Sequence, residues 1–212
     1  MKNTVYLVIL FLLLTSTVKD GYAQRFYGGI NAGLTASEVS GDRAAGPDKL
    51  GWFASVFTNT HLTTYSFLQL ELMYVQKGSR VVPDEPGDRD YKFYLQYVEI
   101  PVVFKFDFSV FGELPYVDRL AGEFGLSMSV LVDHFEEENG LEMDLTASRP
   151  FNTAELNALI GLYYPIGEIM EMHLRFSQGV TPLRPHEGGT KVWYNRGQYN
   201  TVWSFGLSFT FF

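Results

Sequence analysis

The stretch EIMEMHLRFS, residues 168–177, alternates between two kinds of side chain. Met170, Met172, Leu174 and Phe176 are apolar, whereas the side chains between them are charged or polar. Successive side chains of a β-strand point to opposite faces, so this pattern predicts a strand with one apolar face and one polar face. The fold depends on which of the two faces meets water.

Other segments of the chain alternate in the same way, although the segment near residue 55 has no clear apolar phase, and stretches rich in turn residues separate them. Pro101 lies inside one segment, where it has no N–H to donate, so we expect a β-bulge at Glu99–Pro101. In all, the pattern predicts eight strands, near residues 26–38, 51–61, 66–78, 91–107, 117–132, 154–164, 168–179 and 199–212.

The links between the predicted strands alternate in length. In an up-and-down barrel, successive links lie at opposite ends, so all long links share one rim and all short links share the other. Short turns at one rim and long loops at the other are typical of outer-membrane barrels. The long links are residues 39–50, 79–90, 133–153 and 180–198, and the short ones are residues 62–65, 108–116 and 165–167.

The N-terminus has the features of a secretory signal peptide. Lys2 gives a positive start, residues 5–14 are an unbroken apolar run, and the small residue Ala23 precedes Gln24. The apolar run is too short to cross a hydrocarbon core of about 30 Å as a helix. We therefore predict an exported protein, with a cleaved signal peptide at residues 1–23 and one mature domain at residues 24–212.

Composition narrows the classes of function. The chain has no cysteine, so it is neither a disulfide-stapled domain nor a lipoprotein. Its formal net charge is −8, which excludes nucleic acid as a partner, because phosphates are bound by basic surfaces.

The small residues of the predicted strands lie on the polar face, and bulky Leu, Phe and Met dominate the apolar face. A soluble lipocalin-like barrel would turn the apolar face inward and bind an apolar ligand. The narrow lumen of an eight-stranded barrel favours small residues and paired charges, whereas a lipid-facing wall accepts any bulk. We therefore predict a polar lumen and an apolar wall in contact with lipid. The small residues in question are Gly29, Gly33, Gly125, Gly161, Gly206, Ser127, Ser129 and Ser208.

The predicted lumen holds many charges. These side chains suit either a proton or ion path or a structural ion-pair network that plugs the lumen, and we favour the network because buried charges need partners. His173 also suits a catalytic base of a lipid-modifying enzyme, but no G-x-S-x-G motif accompanies it. The other histidines show no metal-ligand spacing, so we expect no metal, cofactor or catalytic residue. The predicted network comprises Glu71, Lys77, Glu99, Lys105, Glu123, Glu155, Glu171, His173 and Arg175.

The third long link contains Asn139-Gly140, a strong signal for a β-hairpin. We expect the flanking strands to extend beyond the membrane and to carry an acidic surface, which suits either contact with a partner or simple solvation. The acidic residues of this hairpin are Glu136, Glu137, Glu138, Glu142 and Asp144.

The segment YLQYVEIPVVFKF, residues 94–106, is similar to a strand motif of the PorT-like outer-membrane β-barrel family of Bacteroidota. The segment FGLSFTFF, residues 205–212, resembles the signal read by the barrel assembly machinery, although Phe212 falls on the opposite phase from Phe211. The resemblance implies an outer-membrane barrel and, for some members, a role in type IX secretion or gliding.

Taken together, these features predict an all-β protein, an eight-stranded antiparallel up-and-down transmembrane β-barrel of the outer-membrane type. We expect a non-enzymatic barrel whose long extracellular loops dock a partner protein or surface molecule. Its other expected partners are outer-membrane lipid, lipopolysaccharide and, during biogenesis, the barrel assembly machinery. A soluble lipocalin-like barrel and an outer-membrane lipid-modifying enzyme remain the alternatives.

Overall fold

The computed structural model describes residues 25–41, 46–81, 83, 90–112, 119–143, 150–184 and 197–211. The predicted signal peptide and the terminal Phe212 lie outside the described residues. In the described part, no helix is long and apolar enough to cross a membrane.

Long β-strands make up most of the described chain, and a single 3-10 turn at Phe108–Phe111 follows the fourth strand. The strands are β1 (Phe26–Ser40), β2 (Lys49–Thr63), β3 (Ser66–Val81), β4 (Tyr91–Asp107), β5 (Ala121–Glu138), β6 (Leu141–Glu142), β7 (Ala154–Pro165), β8 (Met170–Gly179) and β9 (Tyr199–Phe211).

Antiparallel pairing joins these strands into a closed ring. The order is β4-β3-β2-β1-β9-β8-β7-β5, and β4 also pairs with β5, which closes the sheet into an eight-stranded barrel. The short strand β6 pairs only with the end of β5. Closure leaves no sheet edge within the ring, so each of its eight strands finds hydrogen-bond partners on both sides, as hydrocarbon demands. The predicted up-and-down barrel is confirmed.

The links alternate between two rims as predicted, but the β4–β5 link, residues 108–120, is longer than predicted and exceeds the β1–β2 link, residues 41–48. The inner rim, as we call it, carries the β2–β3, β4–β5 and β7–β8 links, of which the first is only residues 64–65. The outer rim carries the β1–β2, β3–β4, β5–β7 and β8–β9 links. Around Asn139 (φ 52°) and Gly140 (φ 81°) the chain makes the predicted hairpin, because both residues adopt the positive φ of a type I′ turn.

The apolar phase of the strands points outward. Leu34, Leu72 and Phe205 are 66%, 54% and 53% exposed, whereas Glu71, next to Leu72, is only 2% exposed. The ambiguous strand β2 follows the same rule, since Trp52 and Val56 face outward and Phe53 and Phe57 face the lumen. An inward apolar phase, which a lipocalin-like barrel requires, is therefore contradicted.

Two predicted details are wrong. No bulge occurs at Glu99–Pro101: the pairs Leu70↔Val102 and Met73↔Glu99 keep one register, and the β3–β4 ladder omits only the two positions between them. The chain thus tolerates the missing proline N–H without inserting a residue. A register shift instead occurs between Gln96 and Tyr97, where β4 pairs with β5. In addition, β5 begins at Ala121 instead of 117, whereas its continuation from 132 to Glu138 is the extension expected for the hairpin.

Glycines on the lumen face make room for an aromatic ring. Gly33 of β1 pairs with Gly206 of β9. A Cβ atom at either glycine would lie within 2.8 Å of the Phe53 ring. The ring of Phe53 therefore lies across two strands whose inward positions have no side chain. This explains why the small residues fall on the polar phase.

Substitution of Leu174 by Arg tests the outward assignment. Leu174 is 44% exposed on β8, and Arg at mid-membrane on the lipid face of a barrel costs about 2–4 kcal/mol. We expect Leu174→Arg to reduce the folded, heat-modifiable band on unheated gels strongly. Ile169→Arg is the matched control, because Ile169 is equally exposed but lies in the inner-rim link. Equal yields of the two folded variants would contradict the assignment.

Candidate functional site

Arg175 joins three strands inside the lumen. Its guanidinium contacts Glu71 of β3 (Nη2 to Oε1, 2.6 Å) and Glu123 of β5 (Nε to Oε1, 2.6 Å). It also donates to the Tyr163 hydroxyl at 3.1 Å. Gly161 lies between Glu123 and Arg175 in the sheet register, and a Cβ atom there would lie 2.5 Å from Glu123 Oε1. The absent side chain lets the two charged groups meet over the intervening strand.

A second ionic group surrounds Glu99 of β4. Lys77 Nζ lies 2.8 Å from Glu99 Oε2. The hydroxyls of Ser127 and Ser129 donate to the two carboxylate oxygens at 2.6 and 2.7 Å. Both Lys77 and Glu99 are 2% exposed, so this pair is held by direct partners and not by bulk water.

A third pair lies nearer the inner rim. Lys105 Nζ and Glu171 Oε2 are 2.8 Å apart, and Glu171 is the more exposed partner at 29%. The Lys105 ammonium also lies 3.7 Å from the centre of the Tyr163 ring. Because Tyr163 also accepts from Arg175, its side chain connects this pair with the Arg175 group.

His173 faces the lumen and not the lipid. It is 2% exposed, its ring stacks on Tyr163 with centroids 5.0 Å apart, and it packs 5.6 Å from Phe53. Its Nδ1 atom has no hydrogen-bond partner among the described residues. A base that acts on membrane lipid needs access to the outer wall, which this position does not give. Two other histidines, His61 and His134, are exposed.

Sequence reasoning missed an apolar cluster in the lumen toward the outer rim. Phe93, Leu95 and Tyr97 follow one another on the inward phase of β4, and each is fully buried. Leu183, from the β8–β9 link, belongs to the same cluster, and Phe151 packs against it. Alternation alone could have placed the three β4 residues inside, since they share the phase of Glu99. Leu183 and Phe151, by contrast, come from links that have no such pattern, while the other members of the cluster lie on strands β1 to β4.

Arg184 connects the β8–β9 link with strands β4 and β5 of the barrel. Its guanidinium bonds to Glu136 and donates to the Tyr91 hydroxyl at 3.1 Å, and its Nε donates to Gln198 at 2.5 Å. It also lies 4.5 Å from the centre of the Phe151 ring. Burial alone would lower the pKa of Arg184, but its contacts with Tyr91 and Glu136 raise that pKa, so the charge is retained.

The predicted acidic hairpin is not one continuous acidic surface. Glu136 is 4% exposed and bonds to Arg184, which corrects the expectation that it faces solvent. Glu137 forms an ion pair with Lys92 at 2.9 Å. Glu142 is exposed at the tip of the hairpin. Glu138 is half-buried and pairs with Leu141 across the turn. Asp144, the fifth predicted member, lies outside the described residues, as does His186.

The lumen groups brace the barrel wall. Each lysine and arginine of the predicted network has a carboxylate within 2.8 Å, whereas His173 has none in the described lumen. Partners come from strands far apart in sequence, as with Arg175 and Glu71, which are 104 residues apart. Among the described residues, no group of three or more His, Cys, Asp or Glu side chains is placed to hold a metal ion. The arrangement suits cross-linking of opposite walls.

Comparison with known proteins identifies a family. The sequence model of the family described as "Outer membrane protein beta-barrel domain" matches residues 22–184. Three solved structures are similar: Ail of Yersinia pestis, solved with the heparin analogue sucrose octasulfate (11% identity, TM-score 0.46, 88% of this chain and 99% of that one); Neisserial surface protein A (14%, 0.47, 88% and 97%); and OprG of Pseudomonas aeruginosa (12%, 0.42, 88% and 94%). No curated protein sequence matches the chain.

Removal of the Arg175 charge tests the bracing role. Arg175→Met leaves Glu71 and Glu123 buried without their cation, and breaking such a buried group costs about 3–5 kcal/mol. We expect a matching loss in the free energy of unfolding, measured by urea titration in lipid vesicles. The triple variant Arg175→Met, Glu71→Gln, Glu123→Gln should recover much of that loss, because no charge remains unpaired.

The matched control is Arg25→Met, since Arg25 is exposed at the inner end of the barrel. It should leave the free energy of unfolding within about 0.5 kcal/mol of the wild-type value. If Arg175→Met behaved like Arg25→Met, the bracing role would be wrong.

Proposed function

Because this chain belongs to the outer membrane protein β-barrel domain family, we propose that it is a non-enzymatic outer-membrane barrel that docks a partner protein through its outer-rim hairpin. The observation that carries the proposal is the projecting ladder of β4 and β5. Their pairing continues to Tyr91↔Glu138, past the exposed apolar side chains of the wall. The two strands thus form an ordered platform outside the membrane.

Three contacts support a rigid platform. The β5–β6 hairpin returns on itself through the pair Glu137↔Glu142. The backbone N–H of Asn139 donates to Asp90 O at 2.8 Å, which ties the tip to the start of β4. Arg184 holds Glu136 from the side. A preformed surface loses little conformational freedom on binding, which favours affinity.

The tip has the chemistry of a contact surface for a protein. Leu141 is 71% exposed and stands next to the exposed Glu142. An exposed apolar side chain beside carboxylates matches a partner that offers an apolar pocket with a basic rim. We therefore place the docking surface at the tip residues Asn139–Glu142.

The closed lumen favours docking over transport. In cross-section the lumen is filled by the Arg175 group, the Glu99 group and the apolar cluster of Phe93, Leu95 and Tyr97. An eight-stranded barrel is only wide enough for its own side chains. The proposed role of the lumen residues is structural.

Two finer proposals rest on the sequence. The resemblance of residues 94–106 to the PorT-like family supports a role in secretion or gliding, and unchanged secretion and motility in a deletion strain would count against it. The N-terminal pattern supports cleavage before Gln24, which the intact mass of the purified protein tests.

Conductance tests the plugged lumen. We expect no steady, large current from pure protein in planar bilayers at neutral pH, because no continuous water column crosses the ionic and apolar groups. At most, small and flickering events should occur. Well-resolved channels of porin size would contradict the closed lumen and thereby weaken the docking proposal.

Site-specific crosslinking tests the docking tip. A photo-reactive amino acid at position 141 should give a discrete crosslinked product in living cells of the native organism. The same probe at Gly167, in the inner-rim link, should not give that product. Leu141→Ser and Glu142→Lys, made together with a probe at Asn139, should reduce the yield at least several-fold while the folded band persists. An unchanged yield would contradict docking at the tip.

A further inference from the structure

Gly179 of β8 leaves a recess in the lumen wall. It is in register with Asn157 of β7, and Asn200 of β9 lies on its other side. A Cβ atom built on Gly179 would lie 2.9 Å from Glu155 Oε1 and 3.3 Å from the backbone N and O of Asn200. The Glu155 carboxylate thus points into the recess. Glu155, Asn157 and Asn200 are each 1% exposed.

The neighbouring Glu99 group fixes the orientation of the Asn157 amide. Ser127 and Ser129 both donate to Glu99, so their oxygens remain as acceptors. The NH₂ group of Asn157 donates to these oxygens at 3.3 and 2.8 Å. A flipped amide would place an oxygen against acceptors, so Asn157 Oδ1 must face away from the serines. Lys77 is also engaged, by Glu99 and Ser129.

The recess therefore has acceptors but few donors. Asn200 donates through Nδ2 to Glu155 Oε2 at 2.7 Å. Three oxygens, Glu155 Oε1, Asn157 Oδ1 and Asn200 Oδ1, have no hydrogen-bond partner among the described residues. The Tyr97 hydroxyl lies beside Glu155 and Asn200 but meets hydrogen-bond geometry with neither. One hydroxyl proton cannot serve three buried acceptors.

Charge is unbalanced in the same place. Lys77 supplies one positive charge to this part of the lumen, whereas Glu99 and Glu155 supply two negative charges. Glu99 takes the direct contact with Lys77, at 2.8 Å. No cation of the described residues contacts the Glu155 carboxylate, and burial of a carboxylate without one is costly in a site of low dielectric constant.

We propose that the recess bordered by Glu155, Asn157 and Asn200 binds one monovalent hard cation, with Na⁺ as the test ion. Carboxylate and amide oxygens are ligands that hard cations prefer. A single positive charge balances the excess carboxylate, whereas a divalent ion would reverse the imbalance. One ion also satisfies all three acceptors at once, and the Tyr97 oxygen is placed to join them. The site is independent of docking at the outer tip.

Thermal unfolding of the full barrel in lipid vesicles tests the site. Na⁺ is exchanged for N-methylglucamine at constant chloride and constant ionic strength. We expect the unfolding temperature to rise saturably with Na⁺, by a few degrees at about ten times the dissociation constant. Glu155→Gln should abolish the dependence on Na⁺.

Two further variants distinguish binding of Na⁺ in the recess from a general effect of removing one negative charge. Glu168→Gln removes the same charge from the exposed inner-rim link and should retain the full dependence. Gly179→Ala places a methyl group in the recess, 2.9 Å from Glu155 Oε1, and should weaken the dependence without changing any charge. If Glu155→Gln does not fold, Gly179→Ala and Glu168→Gln still form a matched pair.

Two outcomes would overturn the proposal. In the first, the unfolding temperature of the wild type does not depend on Na⁺ but rises in acid, and that of Glu155→Gln does not rise. This result would show that Glu155 carries a proton instead of binding a cation. Stability independent of both Na⁺ and acid would show that water alone serves the acceptors.

Discussion

The sheet is a closed ring in which the first strand, β1, pairs with the last, β9, and the size of this ring governs the rest of the structure. Eight strands leave a lumen that holds side chains and little else. Phe53 fits only because Gly33 and Gly206 have no side chains beneath its ring. The same closure removes every sheet edge, which is the condition for a β-structure in hydrocarbon. The narrow lumen and the lipid-facing wall are therefore consequences of one closed ring.

A narrow lumen makes each buried charge dependent on the opposite wall. Arg175 is balanced by Glu71 from one side and Glu123 from the other. Such groups add little net stability over apolar packing, but the loss of one member is costly because a charge stays buried without a partner. The apolar cluster around Phe93 has no such requirement. The ionic groups therefore stabilise the barrel through directional hydrogen bonds, and the apolar cluster stabilises it through packing.

The sequence was sufficient to predict the strands and their faces, because alternation reports directly which side chains share a side of the sheet. It placed all the network residues in the lumen, but it could not say that Arg175 meets Glu71, 104 residues away. That pairing depends on how deep each residue lies along the barrel axis. This depth follows from the stagger between strands and not from the alternation of side chains within one strand. For the same reason the burial of Glu136 under Arg184 was missed, since it is made by a link without periodicity. Pro101 was misread because a ladder can omit a bond without gaining a residue.

Residues of the lumen and residues of the hairpin tip differ in how many other strands they contact. A lumen residue such as Ser129 bonds to partners from β3, β4 and β7 at once, so a change there disturbs several strands. Leu141 at the outer tip is 71% exposed and can change without cost to the barrel. Substitutions in the lumen are therefore expected to cost stability, whereas the tip of the hairpin has room for residues that serve recognition. This separation is the physical reason why the proposed docking surface is placed at the outer rim and not within the lumen.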